Sequence, residues 1–327
     1  MHQQLFSTPG GTSKNYAEAK SSIIQSMSIH SNLAGIYVAA VTPLRQDYSV
    51  DLEAIGGLLE FFFKRGCHGA LLLGTTGEGP SFAAHERVAI FKAAQESRKR
   101  MPSFRLLAGT GTPSLVETIS LTQAAFEAGL DGVVVLPPYY FRNAPENGLF
   151  IWFSQVLREA VPAGGSLLAY HIPPVSGVPI SLDLLARLKD AFPDRFAGLK
   201  DSSGDPEHAQ RLGERFGSDL VVLTGNDRLF SLALQAGASG AITALANLLS
   251  PHLRQIWDAP RDSEQQKQAQ DRLTAARLVM DRYPPAPSTL KALLARQHGF
   301  PLWTVRPPLL PIGPETTAMV ASELGLE

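Results

Sequence analysis

The chain has 327 residues, of which 44% are hydrophobic and 18% charged, so it can bury a large core and is neither disordered nor fibrous. Its formal net charge of −1 argues against a strongly basic nucleic-acid-binding surface. The single cysteine, Cys67, excludes an intramolecular disulfide and a cysteine-based metal cluster, and no apolar run is long enough for a membrane helix.

Residues 1–34 are polar and rich in serine, and only residues 23–27 favour a short helix. No apolar stretch precedes a cleavage motif, so the segment does not resemble a signal peptide. We interpret it as an N-terminal extension outside the main fold and expect a cytoplasmic protein.

From residue 36 onward, short apolar runs alternate with longer amphipathic stretches. Each apolar run has the length and side-chain branching of a buried strand. The eight predicted strands are 36–41, 69–73, 105–109, 132–136, 166–171, 196–200, 220–224 and 240–243. Helical periodicity predicts helices at 51–65, 83–100, 114–128, 145–160, 182–191, 206–216 and 227–236.

Eight strands, each followed by a helix, favour an α/β fold of the closed (β/α)8 type, a TIM barrel. The alternative is an open doubly wound sheet, which usually has fewer strands and a glycine-rich nucleotide turn; the sequence has neither GxGxxG nor GxxxxGK[ST]. We assign the barrel to residues 35–260. Residues 261–327 form a C-terminal helical appendage, with predicted helices at 264–281 and 288–297, a proline-rich run and a last helix.

Catalytic residues of such a barrel lie at the carboxyl ends of its strands. Lys200 is the only lysine that closes a predicted strand, and alternation places Phe196, Gly198 and Lys200 on one face. If that face points into the barrel, desolvation favours the neutral amine, which can attack a ketone and form an iminium. The alternative is a partly solvated lysine that pairs with Asp201.

Two further features accompany Lys200. Tyr170 shares one face of the preceding strand with Leu168, so it can point inward and relay protons near an imine; a plain core tyrosine is the alternative. The turn 74–79 contains glycines, Thr75 and Thr76, whose backbone N–H groups and hydroxyls suit a carboxylate or a phosphate. A βα turn without a ligand is the alternative there.

The sequence does not favour a metal site. The histidines are scattered, with no HxH or HxxxH pair, and His171 stands alone at the end of a strand. A structural histidine is the favoured interpretation of His171 at this point.

The strand ends carry an ordered set of motifs: GTTGE, AGTGT, PPYY, Tyr-x-x-Pro, GLKDSSGD and TGND, after strands two to seven. This set resembles the dihydrodipicolinate synthase / N-acetylneuraminate lyase family of class I aldolases over residues 36–313. The resemblance implies a lyase that forms a lysine Schiff base with a 2-oxo acid, pyruvate, and makes or breaks a C–C bond to an aldehyde. It implies no metal and no organic cofactor, and a homodimer or homotetramer.

The resemblance also implies residue roles. Lys200 corresponds to the Schiff-base lysine and Tyr170 to the proton-shuttling tyrosine. Thr75 and Tyr140 correspond to the other relay hydroxyls, and in the synthases the tyrosine matching Tyr140 reaches in from a neighbouring subunit. Thr76, with Thr75, corresponds to the pair that binds the pyruvate carboxylate. Positions that line the pyruvate pocket correspond to Gly198, Gly225 and Ile242.

Two of the departures from the family pattern bear on the acceptor aldehyde. Synthases carry Tyr-Asn-x-Pro-x-Arg-Thr-Gly where this chain has Tyr-His-Ile-Pro-Pro-Val-Ser-Gly, so Val175 replaces the arginine that binds the carboxylate of the aldehyde. His171 replaces the asparagine, and either contacts a polar group of the acceptor or only fills space.

Three functional hypotheses follow. The first is a pyruvate-dependent lyase that acts on a 2-oxo acid, such as a 2-keto-3-deoxy sugar acid or a 4-hydroxy-2-oxo acid. The second is 4-hydroxy-tetrahydrodipicolinate (dihydrodipicolinate) synthase, which condenses pyruvate with aspartate semialdehyde. The third is a non-catalytic protein that senses a 2-oxo acid, which the intact set of Lys200, Tyr170, Thr75 and Tyr140 makes the least favoured. None of the three predicts a nucleic-acid or membrane partner.

Overall fold

A computed structural model describes residues 30–326. Eight parallel strands close into a barrel, because each strand pairs with the next along the chain and β8 pairs with β1. The strands are β1 (Gly35–Ala39), β2 (Gly69–Leu72), β3 (Arg105–Gly109), β4 (Gly132–Val135), β5 (Leu167–His171), β6 (Phe196–Asp201), β7 (Val221–Thr224) and β8 (Gly240–Thr243). The predicted (β/α)8 barrel is confirmed; the helix predicted around 23–27 lies outside the described residues.

Helices follow the strands and cover the outside of the barrel. They are α1 (Leu52–Lys64), α2 (Ala84–Arg98), α3 (Leu115–Glu127), α4 (Glu146–Ala160), α5 (Pro173–Ser176), α6 (Leu182–Ala191), α7 (Pro206–Phe216), α8 (Phe230–Gln235) and α9 (Ala246–Asp258). Three more lie in the C-terminal region: α10 (Glu264–Asp281), α11 (Ala286–His298) and α12 (Pro314–Glu323). No helix in the described residues is both long and apolar enough to cross a membrane.

Two of the local predictions need correction. The segment predicted as one helix at 227–236 begins with a 3-10 turn, Asp227–Leu229, before α8. The side chain of Asn226 accepts a hydrogen bond from the backbone of Arg228, which stabilises this tighter turn. The single-turn helix α5, directly after β5, lacks the length that gives a periodic signal and is not predicted.

The core has two layers, because alternate side chains of each strand point to opposite faces. One set packs between the strands and the helices, and the other fills the lumen, so the barrel is a packed core rather than a pore. The lumen set includes Tyr37, Leu71, Leu107, Val134, Leu168, Leu223 and Ile242.

Strand β6 breaks the alternation just before its functional end. Its register with β5 shifts at Ala197, so that Phe196 packs on the helix side and Ala197 in the lumen. The prediction that Phe196 shares a face with Gly198 and Lys200 is therefore wrong, because this bulge adds one residue to the strand. Beyond the bulge, Lys200 pairs with Tyr170, whose side chain belongs to the lumen set.

The chain after α11 returns to the loops at the carboxyl ends of the strands. The backbone N–H of Thr304 donates to the carbonyl of Leu44, 3.1 Å away, and the side chain of Gln46 donates to the carbonyl of Leu302, 2.8 Å away. The C-terminal region thereby contacts the loop after β1, on the same side of the barrel as the candidate site.

The bulge at β6 gives the first prediction. Gly198 has φ +151°, and a Cβ atom there would lie 2.1 Å from the carbonyl oxygen of Val221. We expect Gly198→Ala to lower the free energy of unfolding by about 2 kcal/mol or more, because the backbone must move away from β7. Denaturant unfolding measures this change.

The matched control is Gly57→Ala on the exposed face of α1, where a Cβ atom would meet nothing within 4 Å. Alanine is a better helix former than glycine, so the free energy of unfolding of this variant should rise by about 0.5–1 kcal/mol. Equal stability of the two variants would contradict the inference that a Cβ atom at position 198 collides with β7.

Candidate active site

Lys200 and Tyr170 form a buried pair on adjacent strands. The amine nitrogen of Lys200 lies 4.2 Å from the centroid of the Tyr170 ring, and the two residues are only 3% and 4% exposed. The alternative of a partly solvated lysine paired with Asp201 is therefore wrong. Alternation along β6 sends the carboxylate of Asp201 to the opposite face, where its neighbours are histidines.

Thr75 joins this pair from the turn after β2. Its hydroxyl oxygen lies 3.3 Å from the phenol oxygen of Tyr170, within hydrogen-bonding distance. Thr75 is exposed at the mouth of the barrel, whereas the neighbouring Thr76 is buried. Three of the four predicted catalytic side chains thus meet within one chain, and they come from β2, β5 and β6.

The pKa of the Tyr170 phenol reflects this surrounding. Burial by itself raises the pKa of a phenol, but here the charge of Lys200 and hydrogen bonds from Thr75, Lys200 and Ser202 outweigh it. The result is a pKa below the ordinary value for tyrosine. A phenol with a lowered pKa exchanges a proton more easily with a nearby amine or imine.

Backbone constraints hold the turn that carries Thr75. A Cβ atom on Gly79 would lie 2.0 Å from the carbonyl oxygen of Leu73, so the chain can approach itself here only through glycine. Glu78 adopts a left-handed conformation, with φ 57°. The hydroxyl of Thr42 donates to the carbonyl of Gly77 at 2.7 Å, which ties the turn to the loop after β1.

A small cleft opens beside Thr75 and Tyr170, and Leu71, Gly74, Val134 and Leu136 contribute to its walls. The positions predicted to line a pyruvate pocket lie in the same part of the barrel. Gly198 sits beside the bulge, and Ile242 points into the lumen with Tyr170. Gly225 follows β7, where a Cβ atom would lie 1.8 Å from the hydroxyl of Ser202.

Tyr140 is placed differently from the other predicted catalytic residues. It lies in the loop after β4 and is 76% exposed, with its ring edge-on to the equally exposed Phe141 at 5.3 Å. Within one chain, Tyr140 is therefore exposed to solvent, whereas Tyr170 and Lys200 are buried.

His171 lies on the outer face of β5, away from the lumen. Its neighbour Tyr170 points inward, and His171 is buried against α7, where its ring stacks on His208 with centroids 4.7 Å apart. Its Nδ1 atom accepts a hydrogen bond from the backbone N–H of Ile180, 3.0 Å away. His171 therefore lies on the opposite face of the sheet from the side chains of Lys200 and Tyr170.

His171 does not stand alone, contrary to the sequence-based expectation. Ligand-type atoms of His171, Asp201 and His208 all lie within 4.8 Å of one another. However, because Nδ1 of His171 accepts from Ile180, the neutral ring carries its proton on Nε2, which leaves neither nitrogen free to bind an ion. These three residues therefore do not suit a metal centre.

Ser202 is a site residue that sequence reasoning missed. Its hydroxyl is one of the groups that lower the pKa of Tyr170. It follows Lys200 by two residues, so the alternation that singled out Lys200 would also have found it.

Comparisons with known proteins give relatives along the whole barrel. The model of the dihydrodipicolinate synthetase family matches residues 32–325. An uncharacterized DapA-like lyase of Chloroflexus aurantiacus is 39% identical over 287 residues, which cover 87% of this chain and 93% of that protein. Among solved structures, dihydrodipicolinate synthase from Agrobacterium tumefaciens has a TM-score of 0.80 and 31% identity, covering 89% of this chain and 98% of the other.

A second solved structure was determined with a ligand. It is YagE, a prophage protein of the dihydrodipicolinic acid synthase family from E. coli K12, in complex with pyruvate. Its TM-score is 0.83 and its identity 26%, over 90% of this chain and 99% of that chain.

The surroundings of His171 generate a pH prediction. Burial, and then the neighbouring His208, lower the pKa of His171 to about 4 from its ordinary value of 6.5. Between pH 6.5 and about pH 4, His171 is therefore protonated in the unfolded chain but neutral in the folded chain. The free energy of unfolding falls as the pH drops through this window.

We expect the free energy of unfolding to fall by about 2 kcal/mol more in the wild type than in His171→Asn on going from about pH 7 to about pH 5. Asparagine keeps an acceptor for Ile180 but does not titrate. Denaturant unfolding at the two pH values measures the difference. If the free energy of unfolding changes equally with pH in the two proteins, the pKa of His171 is not lowered by folding.

Proposed function

The chain belongs to the dihydrodipicolinate synthetase family, whose members are lyases and aldolases, and we propose that it acts on pyruvate through a Schiff base at Lys200. The observation that carries the proposal is the amine of Lys200, buried 4.2 Å from the ring centroid of Tyr170, with the Thr75 hydroxyl beside the phenol. A buried amine next to a proton donor is what imine formation requires.

Pyruvate is the proposed keto acid for two reasons. The related YagE was solved in complex with pyruvate. In this chain, Thr75 and Thr76 lie in a turn whose hydroxyls and backbone N–H groups suit a carboxylate. With the carboxylate at that turn, the carbonyl carbon of pyruvate would lie toward the amine of Lys200.

The proposed reaction proceeds through an imine and an enamine. The neutral amine of Lys200 attacks C2 of pyruvate, and the resulting carbinolamine loses water to give a protonated imine. The imine nitrogen withdraws electrons, so C3 gives up a proton and the enamine forms. The enamine carbon then bonds to the carbonyl carbon of an aldehyde, whose oxygen takes up a proton and becomes a hydroxyl group. Water then adds to C2 of the new imine, and the C–N bond breaks to free the product and Lys200. Cleavage of a 2-oxo acid is the same path in reverse.

The hydroxyls carry the protons of these steps. Tyr170 would protonate the oxygen that leaves as water and later accept a proton again, with Thr75 as the next member of the relay. Tyr140 is the proposed outer member. Because it is 76% exposed in one chain, we propose that it completes the site of a neighbouring subunit in a homodimer or homotetramer.

The acceptor aldehyde is proposed to differ from aspartate semialdehyde. Val175, on α5, is 57% exposed and has no charged or hydrogen-bonding side chain for a carboxylate. Loss of a charge-assisted pair costs about 1.5–3 kcal/mol, which is roughly tenfold to a hundredfold in binding. We therefore propose a 2-keto-3-deoxy sugar acid or a 4-hydroxy-2-oxo acid as the substrate class.

The proposal predicts a covalent adduct with pyruvate. Reduction with borohydride in the presence of pyruvate should label the peptide that contains Lys200, as read by intact mass and peptide mapping. Lys291, the other fully buried lysine of the described residues, is an internal control that should stay unlabelled. A folded protein that gives no adduct would contradict the proposal, and saturable pyruvate binding without turnover of any aldol substrate would support the sensor hypothesis.

The second candidate is 4-hydroxy-tetrahydrodipicolinate synthase, favoured by the 31% identity to the Agrobacterium tumefaciens enzyme. If the substrate class proposed above is right, the wild type should condense pyruvate with aspartate semialdehyde poorly. Val175→Arg should then improve kcat/KM for this aldehyde by about tenfold or more, because it adds a carboxylate partner. Val175→Leu is the matched control. Rapid condensation by the wild type would instead support the synthase.

A further inference from the structure

A buried ion pair links the C-terminal appendage to the turn that carries Thr75. The amine of Lys291, on α11, lies 2.5 Å from Oε1 of Glu78, and the two side chains are 1% and 0% exposed. Lys291 also donates to the carbonyl of Thr304 at 2.6 Å, and Oε2 of Glu78 accepts from the backbone N–H of Arg306 at 3.0 Å. Both carboxylate oxygens of Glu78 are therefore held by the C-terminal region.

Glu78 belongs to the same tight turn as Thr75. Its backbone N–H donates to the carbonyl of Thr75 at 3.1 Å, and its left-handed conformation turns the chain toward Gly79. A non-glycine residue in this conformation is held there only when its surroundings favour it. The two hydrogen bonds to its carboxylate supply that constraint.

The charges around Glu78 come from three elements. Lys291 faces it from α11 and Arg306 from the segment after α11. The guanidinium of Arg306 in turn binds both oxygens of Glu86, on α2, at 2.5 and 2.8 Å. A second, partly buried ion pair, between Arg306 and Glu86, therefore lies next to the pair of Glu78 and Lys291.

Stability alone does not account for a buried pair of this kind. Taking two charges out of water offsets most of their attraction, and apolar residues of similar size usually serve as well. The ion pair also fixes the relative position of two residues, Glu78 and Lys291, that are 213 residues apart in sequence.

We propose that Glu78 and Lys291 are positioning residues, which hold the turn 74–79 so that the Thr75 hydroxyl meets the phenol of Tyr170. The inference rests on the proposed function for its effect on catalysis. It makes the C-terminal helices part of the site, although none of their residues belongs to the predicted catalytic set.

The test compares Glu78→Gln with the double variant Glu78→Gln/Lys291→Met, which removes both charges and leaves no unpaired ion. Lys64→Met is the matched control, because it breaks an exposed ion pair with Glu60 on α1. Three quantities are measured for each protein: the melting temperature, the rate of borohydride trapping with pyruvate, and the phenolate absorbance titration of Tyr170, assigned with Tyr170→Phe.

We expect both Glu78 variants to trap pyruvate about 10- to 100-fold more slowly than the wild type, because the relay hydroxyl is displaced. The pKa of Tyr170 should rise in both, since Thr75 no longer stabilises the phenolate. The double variant should still melt cooperatively, and Lys64→Met should match the wild type in all three measurements.

Measuring the trapping rate over a series of pH values distinguishes a positioning role from general destabilisation of the fold. Burial already lowers the pKa of Lys291, with Glu78 opposing the effect. Without the carboxylate the pKa of Lys291 falls further, so raising the pH neutralises the amine and relieves the unpaired charge. The trapping rate of Glu78→Gln, relative to the wild type, should therefore increase with pH, whereas that of the double variant should not.

A folded double variant with the wild-type trapping rate and Tyr170 titration would overturn the inference. If Glu78→Gln fails to fold, the double variant decides. If the wild type itself forms no adduct, the proposed function fails, and the Tyr170 titration alone still decides whether Glu78 and Lys291 position Thr75.

Discussion

The burial of one amine is the constraint on which the site depends. Lys200 is 3% exposed, and its nitrogen lies against the ring of Tyr170 rather than beside a carboxylate. Keeping a lysine in such a place requires aromatic and hydroxyl partners in place of water. The bulge at Ala197 gives β6 the register in which Lys200 faces the lumen, and Gly198 makes the close approach to β7 possible.

Barrel closure explains how distant segments supply those partners. The carboxyl ends of parallel strands meet at one side of the barrel, so β2, β5 and β6 deliver Thr75, Tyr170 and Lys200 to one point. The C-terminal chain then returns to this side and holds the turn after β2 through the buried pair of Glu78 and Lys291. Below the site, the lumen is filled by closely packed apolar side chains, which restrict the movement of the site residues above them.

Patterns that act locally could be predicted, and contacts between distant elements could not. Apolar runs located all eight strands, and position at a strand end singled out Lys200, Tyr170 and Thr75. Strict alternation failed at Phe196, because a bulge leaves no reliable mark in a single sequence. His208 lies on α7 and Lys291 on α11, so neither their contacts with His171 and Glu78 nor the burial of those pairs follows from spacing along the chain.

We propose that Lys200 is the nucleophile and that Thr75, Thr76 and Tyr170 orient the keto acid around it. A crystal structure of the chain soaked with pyruvate tests this most directly. We expect continuous electron density from the Lys200 nitrogen to C2 of pyruvate, with the carboxylate at the turn 74–79 and the Tyr170 hydroxyl beside the new bond. Pyruvate bound elsewhere, or bound at this turn with a free and distant Lys200, would contradict it.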